Sequence, residues 1–361
     1  MGDRTGAEIL EVRVGRIRQF GSRRTARRVE RGVAQEVGPR VEEVYDSLLA
    51  TRNFAARRHG VIESMRETSA PPRIVVVSPT RNEEKSLLET VAAIEAQTLR
   101  PVLWVLVDDG SSDRTPELLR EVAARLPWVR VVTRPDRGFR KVGGGVIEAF
   151  DAGRAAIDVD HDFIAKLDVD LSFGPRYLER IMERFAADPR LAAASGKVFR
   201  REGGALVEEF IIDEMVAGQF KLYRREAFER IGGFVREVMW DGIDIHRCRM
   251  HGFTTASFAD PELAIVHLRV MGSTEKSVYH GRLRWGRGQW FMGSSFPYVV
   301  ASGLFRMREK PFVVGGLLIV AGYVAAWLRG MPRYGEPEFR RELRRWQHAR
   351  LRRLLTRGGV R

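Results

Sequence analysis

Residues 74–110 read IVVVSPTRNEEKSLLETVAAIEAQTLRPVLWVLVDDG, and this stretch decides the fold. IVVVSPT is a short apolar run rich in Val, the pattern of a strand buried on both faces. Glu84–Gln97 follows with helical spacing, and VLWVLVDDG is a second buried strand. Adjacent strands joined through a helix run parallel, because a parallel pair needs a crossover connection. The alternation continues with a helix over Thr115–Leu126, VRVVTR as a strand, a helix over Gly145–Ala156, and DFIAKLDVD as a strand. The expected fold class is α/β, a largely parallel, mixed sheet flanked by helices. In such sheets ligands bind outside the carboxyl ends of the strands.

Polar groups gather at those ends. Thr80, Arg81, Asn82 and Glu83 follow the first strand; Asp108, Asp109, Gly110, Ser111 and Ser112 follow the second. Asp113 fits the cap of the helix that begins near Thr115. In KLDVDLSF, Asp168 and Asp170 stand two apart at the end of a later strand. Two carboxylates so placed can grip a hard divalent cation and leave most of its coordination sphere to water and phosphate oxygens. A D-x-D pair alone is a weak signal; here the other strands end in acids too.

The charge is unevenly spread. Residues 1–70 carry a net +4, residues 71–268 a net −4, and residues 269–361 a net +14, from 19 Lys and Arg against 5 Asp and Glu. The excess therefore lies outside the segment that holds the candidate chemistry, which favours an anionic membrane surface over nucleic acid as the tail's partner. The single cysteine, Cys248, excludes an intrachain disulfide and a cysteine-based zinc site. No apolar stretch of the secretory type follows Met1, so a cytoplasmic protein is the default expectation.

Three regions result. Residues 1–70 are an Arg-rich extension, helical over Val41–Met65 and closed by Pro71 and Pro72; residues 71–268 are the α/β domain; residues 269–361 are a basic helical region that is expected to associate in part with membrane. Within the last, residues 311–328 form an uncharged run of 18, at the short limit for a membrane span and flanked by Arg and Lys on both sides. Residues 338–355 set Phe339, Leu343, Trp346, Leu351 and Leu354 among seven Arg, the pattern of a basic amphipathic helix at an interface.

SPTRNEEKSLLETVAAIEAQTL, VDDGSSDRTPELL and KLDVDLSF, in this order, resemble the nucleotide-sugar half of a family 2 glycosyltransferase with the GT-A fold. GQFKLYRREAFERIGGF and WDGIDIHRCRMHGF are similar to that family's acceptor-side segments, so the resemblance runs from about Arg73 to His267. It implies that Thr80 and Glu83 lie beside the nucleoside and that Asp109 or Asp108 accepts a hydrogen bond from the base. It makes Asp170 the principal ligand of Mg or Mn and sets Asp168 at the ribose or the metal. His267 becomes a possible further ligand, and Arg137, Arg140 and Lys141 candidates for the diphosphate. Asp241 falls where the family carries its catalytic base, with Asp244 as the fallback; a helix N-cap is the structural alternative for Asp241. Trp240, where an acid is frequent, is either a sugar platform or a buried anchor. Lys166 reads as an ordinary strand residue. RLRWGRGQW, residues 282–290, lacks the Gln of the polymerase signature Gln-x-x-Arg-Trp, which argues against processive polymerisation.

The expectation is a metal-dependent, inverting transferase that moves a sugar from a nucleotide diphosphate donor to a hydroxyl of a glycan or lipid-linked acceptor, peripheral or monotopic at the inner face of the cell membrane. Transfer to polyprenyl phosphate is the alternative. A basic membrane or nucleic-acid-binding scaffold with an inert domain is the competitor from another class.

Overall fold

A computed structural model of the chain describes residues 70–139, 143–202, 205–268 and 277–356. The extension expected over residues 1–70 lies outside these except for its last residue, as do Arg140 and Lys141. Pro72–Arg361 forms one compact unit.

Its centre is a seven-stranded sheet. In chain order the strands are β1 (Ile74–Thr80), β2 (Leu103–Asp109), β3 (Val129–Arg134), β4 (Phe163–Leu167), β6 (Leu191–Gly196), β9 (Phe220–Arg224) and β10 (Thr254–Phe258). They lie side by side in the order β10-β6-β9-β4-β1-β2-β3. β1 pairs parallel with β2 and β4, while β9 runs antiparallel to both β4 and β6. The sheet is therefore mixed, as the sequence pattern predicts. Strand side chains alternate between faces. Ile74 and Val76 enter the core on one side of the sheet, Val75 and Val77 the core on the other. Burying a Val or Ile fully is worth about 1.5–3 kcal/mol, so a strand apolar at every position is stable only where both faces are covered.

Helices α1 (Leu87–Glu95), α2 (Thr115–Arg125) and α4 (Tyr177–Ala187) supply the first cover. Helices α3 (Gly144–Ala155), α5 (Arg225–Arg230) and α6 (Trp240–Met250) supply the second. The chain winds away from β1 through β2 and β3, then returns to β4 on the other side of β1. The strand order thus reverses between β1 and β4, the position at which such sheets bind ligands, and a crevice there is lined by Asn82, Glu83, Glu84, Asp113, Arg201 and Leu268.

The acidic strand end is shorter than its sequence suggests. β4 stops at Leu167, and Leu171–Phe173 begins β5, which belongs to a second, four-stranded sheet in the order β5-β11-β7-β8. Here β7 is Val198–Glu202, β8 Ala205–Glu208 and β11 Ile265–His267. Asp168 and Asp170 therefore lie in the turn between two sheets, where backbone direction changes.

The basic region folds onto the same unit as four helices: α7 (Val278–Met292), α8 (Phe296–Arg306), α9 (Val314–Leu328) and α10 (Pro337–Thr356). The expected amphipathic helix is present as α10, but its apolar face is occupied. Phe339 and Leu343 are buried beside Ile243 of α6, and the Trp346 ring lies 5.0 Å from that of His246. Among the described residues no helix is long and apolar enough to cross a membrane; α9, with 15 residues, is about 22 Å long against a hydrocarbon core of about 30 Å. One side of α9 packs on α7 at backbone distance, because Gly322 sits against the carbonyl of Leu283 and Gly286 against that of Ile319. Gly322→Leu leaves no room for this contact and is expected to lower stability by about 1–3 kcal/mol, read as a shift in the urea midpoint. An unchanged midpoint would show that α9 is not fastened there.

Candidate active site

The loops after β1 and β2 are tied together. Asn82 adopts a left-handed conformation with φ 55°, its side chain accepts the Ser112 amide at 2.8 Å, and its own amide donates to the Ser111 hydroxyl at 3.0 Å. Asp113 accepts from the amides of Thr115 at 3.0 Å and Glu84 at 3.3 Å. Its role is structural, although the N-cap position itself is Arg114 and Asp113 acts from one residue before it.

Within this frame Thr80 donates to the Ser78 carbonyl at 3.1 Å, and Glu83 accepts from the Ser86 hydroxyl at 2.9 Å. Asp108 closes a turn by accepting the Ser111 amide at 2.9 Å. Asp109 is held by two guanidiniums, Arg134 at 2.5 Å and Arg137. Arg137 also pairs with Glu148 at 3.0 Å, so it is committed to Asp109 and Glu148 and not presented to a diphosphate. Arg81 links the carbonyl of Asp109, at 2.5 Å, to Asp136, at 2.8 Å. These groups lie at and just beyond the carboxyl ends of β1, β2 and β3.

After β4 stands the D-x-D turn. Lys166, in the middle of β4, is buried and donates to Asp168 at 2.5 Å and to the Gly218 carbonyl at 2.8 Å. It is not an ordinary strand residue. Burial pushes the Asp168 carboxyl up, the Lys166 ammonium pulls it back down, and the charge of Asp170 adds to the rise. Asp168 keeps 31% of its side-chain surface exposed, so solvent tempers that rise. Asp170 faces away from Asp168 toward β11, where its carboxylate meets His267 Nε2 at 3.2 Å. The other ring nitrogen of His267 stands 3.5 Å from Glu209 Oε1, and these two buried atoms have no hydrogen-bond partner. Burial opposes a charge on His267, but its contacts with Asp170 and Glu209 outweigh it and push the imidazole up to about 10.

This line of carboxylate, imidazole and carboxylate bears on the expected cation. A carboxylate beside an imidazole, with a second carboxylate behind the imidazole, is a donor set with its orienting partner. The unsatisfied pair, Glu209 Oε1 and His267 Nδ1, lies on the far side of the ring from Asp170, so the fit rests on the donor chemistry of the Asp170 carboxylate and His267 Nε2. Asp170 and His267 therefore fit a divalent cation as its protein ligands, whereas Asp168 Oδ1 is taken by Lys166. Among the described residues no three His, Cys, Asp or Glu groups are gathered to enclose a metal ion.

The third wall is the start of α6, entered through Met239 with φ 68°. The helix begins earlier than its sequence suggests, so Asp241 lies in its first turn and is exposed. Its carboxylate stands over Gly218, close enough that a Cβ there would lie 3.3 Å from Oδ2. The Gly218 carbonyl is the one that binds Lys166, and the next residue, Gln219, accepts the Asp168 amide at 2.8 Å. One short segment thus brings Asp241 beside the D-x-D turn.

Asp244 behaves differently. It is 1% exposed, bonded by Lys221 at 2.6 Å and by the Tyr223 hydroxyl at 2.6 Å. Burial pushes its carboxyl up, against the pull of both partners. It holds α6 to β9 and does not face the crevice. Trp240 is a buried anchor, packed edge to face on Phe234 at 4.9 Å, with the ammoniums of Lys166 and Lys221 5.3 and 5.2 Å from its ring. The Trp/Arg cluster of α7 is likewise structural: Arg306 covers Trp285 at 4.1 Å, and Trp290 donates to the Met331 carbonyl at 2.8 Å.

Residues 75–207 match the glycosyl transferase family 2 model. The chain is 29% identical over 215 residues to glycosyltransferase AglD of Haloferax volcanii, covering 53% of this chain and 33% of that protein. It is 35% identical over 116 residues to the undecaprenyl-phosphate 4-deoxy-4-formamido-L-arabinose transferase of Pseudomonas aeruginosa, covering 31% of this chain and 32% of the relative. It spans about a third of the length of these two proteins. Among solved structures, mannosyltransferase PcManGT from Pyrobaculum calidifontis in complex with GDP-Man and Mn2+ superposes with a TM-score of 0.44 at 19% identity, covering 87% of this chain and 86% of that one.

Proposed function

Residues 75–207 being a glycosyl transferase family 2 domain, we propose that this chain is a metal-dependent, inverting glycosyltransferase that moves a sugar from a nucleotide diphosphate sugar to an acceptor hydroxyl. The observation that carries this reading is the convergence of Asp168 and Asp241 on Gly218–Gln219, which sets the β4–β5 turn that also carries Asp170 beside a carboxylate from α6. The donor lies along the carboxyl ends of β1 and β2, with Thr80, Glu83 and Asp108 or Asp109 around the nucleoside. Arg140 and Lys141, assigned to the diphosphate by resemblance, lie outside the described residues.

Asp241 takes the proton of the acceptor hydroxyl, whose own acidity is far too weak for it to be lost unaided near neutral pH. The acceptor oxygen then bonds to the anomeric carbon from the face opposite the diphosphate, the bond from that carbon to the phosphate oxygen breaks, and the nucleoside diphosphate leaves with the electron pair. The anomeric configuration inverts. Asp170 and His267 would hold Mg or Mn, and the bound ion supplies positive charge to the departing diphosphate. Glu209, behind His267, orients its ring.

The acceptor is a glycan or lipid-linked intermediate, met at the inner face of the cell membrane by a peripheral or monotopic protein. A second acceptor class is favoured by one observation, the name of the Pseudomonas relative, which specifies undecaprenyl phosphate. An acceptor that is already an anion needs no base.

The test is a thermal-shift screen of UDP-, GDP-, dTDP- and CMP-linked sugars with and without Mn, run on the wild type and on Asp170→Ala. One donor is expected to raise the melting temperature by several degrees only with metal and only in the wild type, because ligand in hundredfold excess over Kd adds about 2.7 kcal/mol. A shift that survives Asp170→Ala removes Asp170 as the metal ligand; the absence of any shift overturns the donor site.

A further inference from the structure

The exposed side of α9 is an apolar stripe. Val314, Leu317 and Leu328 follow one another at intervals of 3 and 11 residues, with the uncharged Ala321 between them, all on the helix face opposite the one packed on α7. Leu317 is 53% exposed and Leu328 75%. The stripe continues at both ends: Trp327 is 59% exposed near the carboxyl end, and Phe312 and Val313 are exposed at the amino end. There the Val313 amide bonds back to the Met307 carbonyl at 2.9 Å, which folds the linker onto the end of α8. Gly303 of α8 meets Gly316 of α9 at backbone distance, so the exposed Leu304 joins the same ridge.

The charge around this ridge is mostly basic, with Glu202 beside Lys310 at 3.8 Å as an acid from elsewhere in the chain. Between residues 296 and 333 the sole acid is Glu309, and it is committed to Arg282 at 2.8 Å and Arg306 at 2.9 Å. Arg308, Lys310 and Arg329 are exposed at its borders. A large exposed apolar surface rimmed by polar residues marks a binding surface. A second copy of the chain would bring the same basic border into contact with itself. An anionic bilayer offers both an apolar layer for the ridge and negative charge for the rim, and a helix of about 22 Å lies in the interface instead of crossing it.

One end of the ridge lies near the site in the chain: Phe305 of α8 meets Phe210 with ring centroids 5.4 Å apart at a tilt of 42°, and both rings are exposed. Phe210 directly follows Glu209, the carboxylate behind His267.

We infer that the α8–α9 ridge docks this protein on an anionic lipid bilayer, and that a lipid-borne acceptor reaches the Asp170–Asp241 crevice past Phe305 and Phe210. Docking stands on the ridge alone; the route of the acceptor rests on the transferase reading.

The experiment is flotation of the full chain with phosphatidylcholine vesicles containing either no anionic lipid or 30% phosphatidylglycerol, a composition set by the experimenter and of the order that gives surface potentials of tens of millivolts. The wild type is expected to float with the anionic vesicles and to be released in part by salt. Leu317→Glu combined with Leu328→Glu is expected to lower the bound fraction at least tenfold while leaving the melting temperature unchanged. Arg352→Glu with Arg353→Glu, on the exposed side of α10, serves as a charge control and is expected to lower it much less. Wild-type protein that stays in the soluble fraction overturns the inference, and so does equal binding by the Leu317/Leu328 variant. A dimer in light scattering that the Leu variant abolishes overturns it too, by making the ridge a self-interface. The donor-induced thermal shift is measured on the same samples: its loss in the wild type counts against the transferase reading and leaves docking intact. Phe210→Ser is expected to reduce turnover on a lipid-linked acceptor while vesicle binding is kept; unchanged turnover on that acceptor overturns the route.

Discussion

Asp241→Asn is expected to lower turnover by about 10²–10⁴-fold while donor binding and folding stability remain those of the wild type. The loss follows from the chemistry assigned to this carboxylate: the amide keeps the shape and the hydrogen-bonding reach but cannot take a proton. Stability is spared because Asp241 is exposed in the first turn of α6 and its carboxylate stands over Gly218 without filling a core position. Donor binding is expected to be spared because the loops after β1 and β2, proposed for the nucleoside, are held by their own hydrogen bonds and not by Asp241. The measurement is steady-state turnover beside the donor-induced thermal shift. Retained turnover with retained donor binding points to an acceptor that is already ionised, as in transfer to a polyprenyl phosphate.

Asp244→Asn, three residues on, gives the opposite pattern: a loss of about 3–5 kcal/mol of stability, seen in urea denaturation. Asp244 and Lys221 are both fully enclosed, 2.6 Å apart, and removing the negative partner leaves an ammonium with no counter-charge inside the protein. Tyr223 also loses its charged acceptor. A variant that folds with wild-type stability and is inactive transfers the role of base from Asp241 to Asp244.

How legible this was in the chain differs by element. The Val-rich strands and the acids at their ends could be read directly, because short Val- and Ile-rich runs bounded by polar turn residues and alternating with helical spacing are the pattern of buried parallel strands. The D-x-D turn was found, but its division of labour was hidden. Asp168 and Asp170 point to different partners because the chain leaves one sheet and enters another between them, and that junction is set by pairing with Gln219 and Leu268, far away in sequence. Lys166 was passed over although a signal existed: a lysine inside FIAKL, and another inside FKLYR, cannot be buried without an acid or carbonyl to receive it. Glu209 left no such trace, since it gains its place behind His267 only when β8 and β11 join the same sheet. For α10 the pattern of apolar and basic residues was correct and the partner was not. An amphipathic face reports that something covers it, and here α6 does.

Lys166 and Lys221 are direct cross-strand partners on β4 and β9, and both ammoniums reach the ring of Trp240. Through them Asp168, in the β4–β5 turn, and the first turn of α6 are fastened to one indole. The two therefore have little freedom to be tuned apart: an exchange at Trp240 would be felt at Asp168 and Asp241 together, and paired substitutions across it should depart from additivity. The loops after β1 and β2, whose hydrogen bonds do not pass through that ring, are free of this coupling.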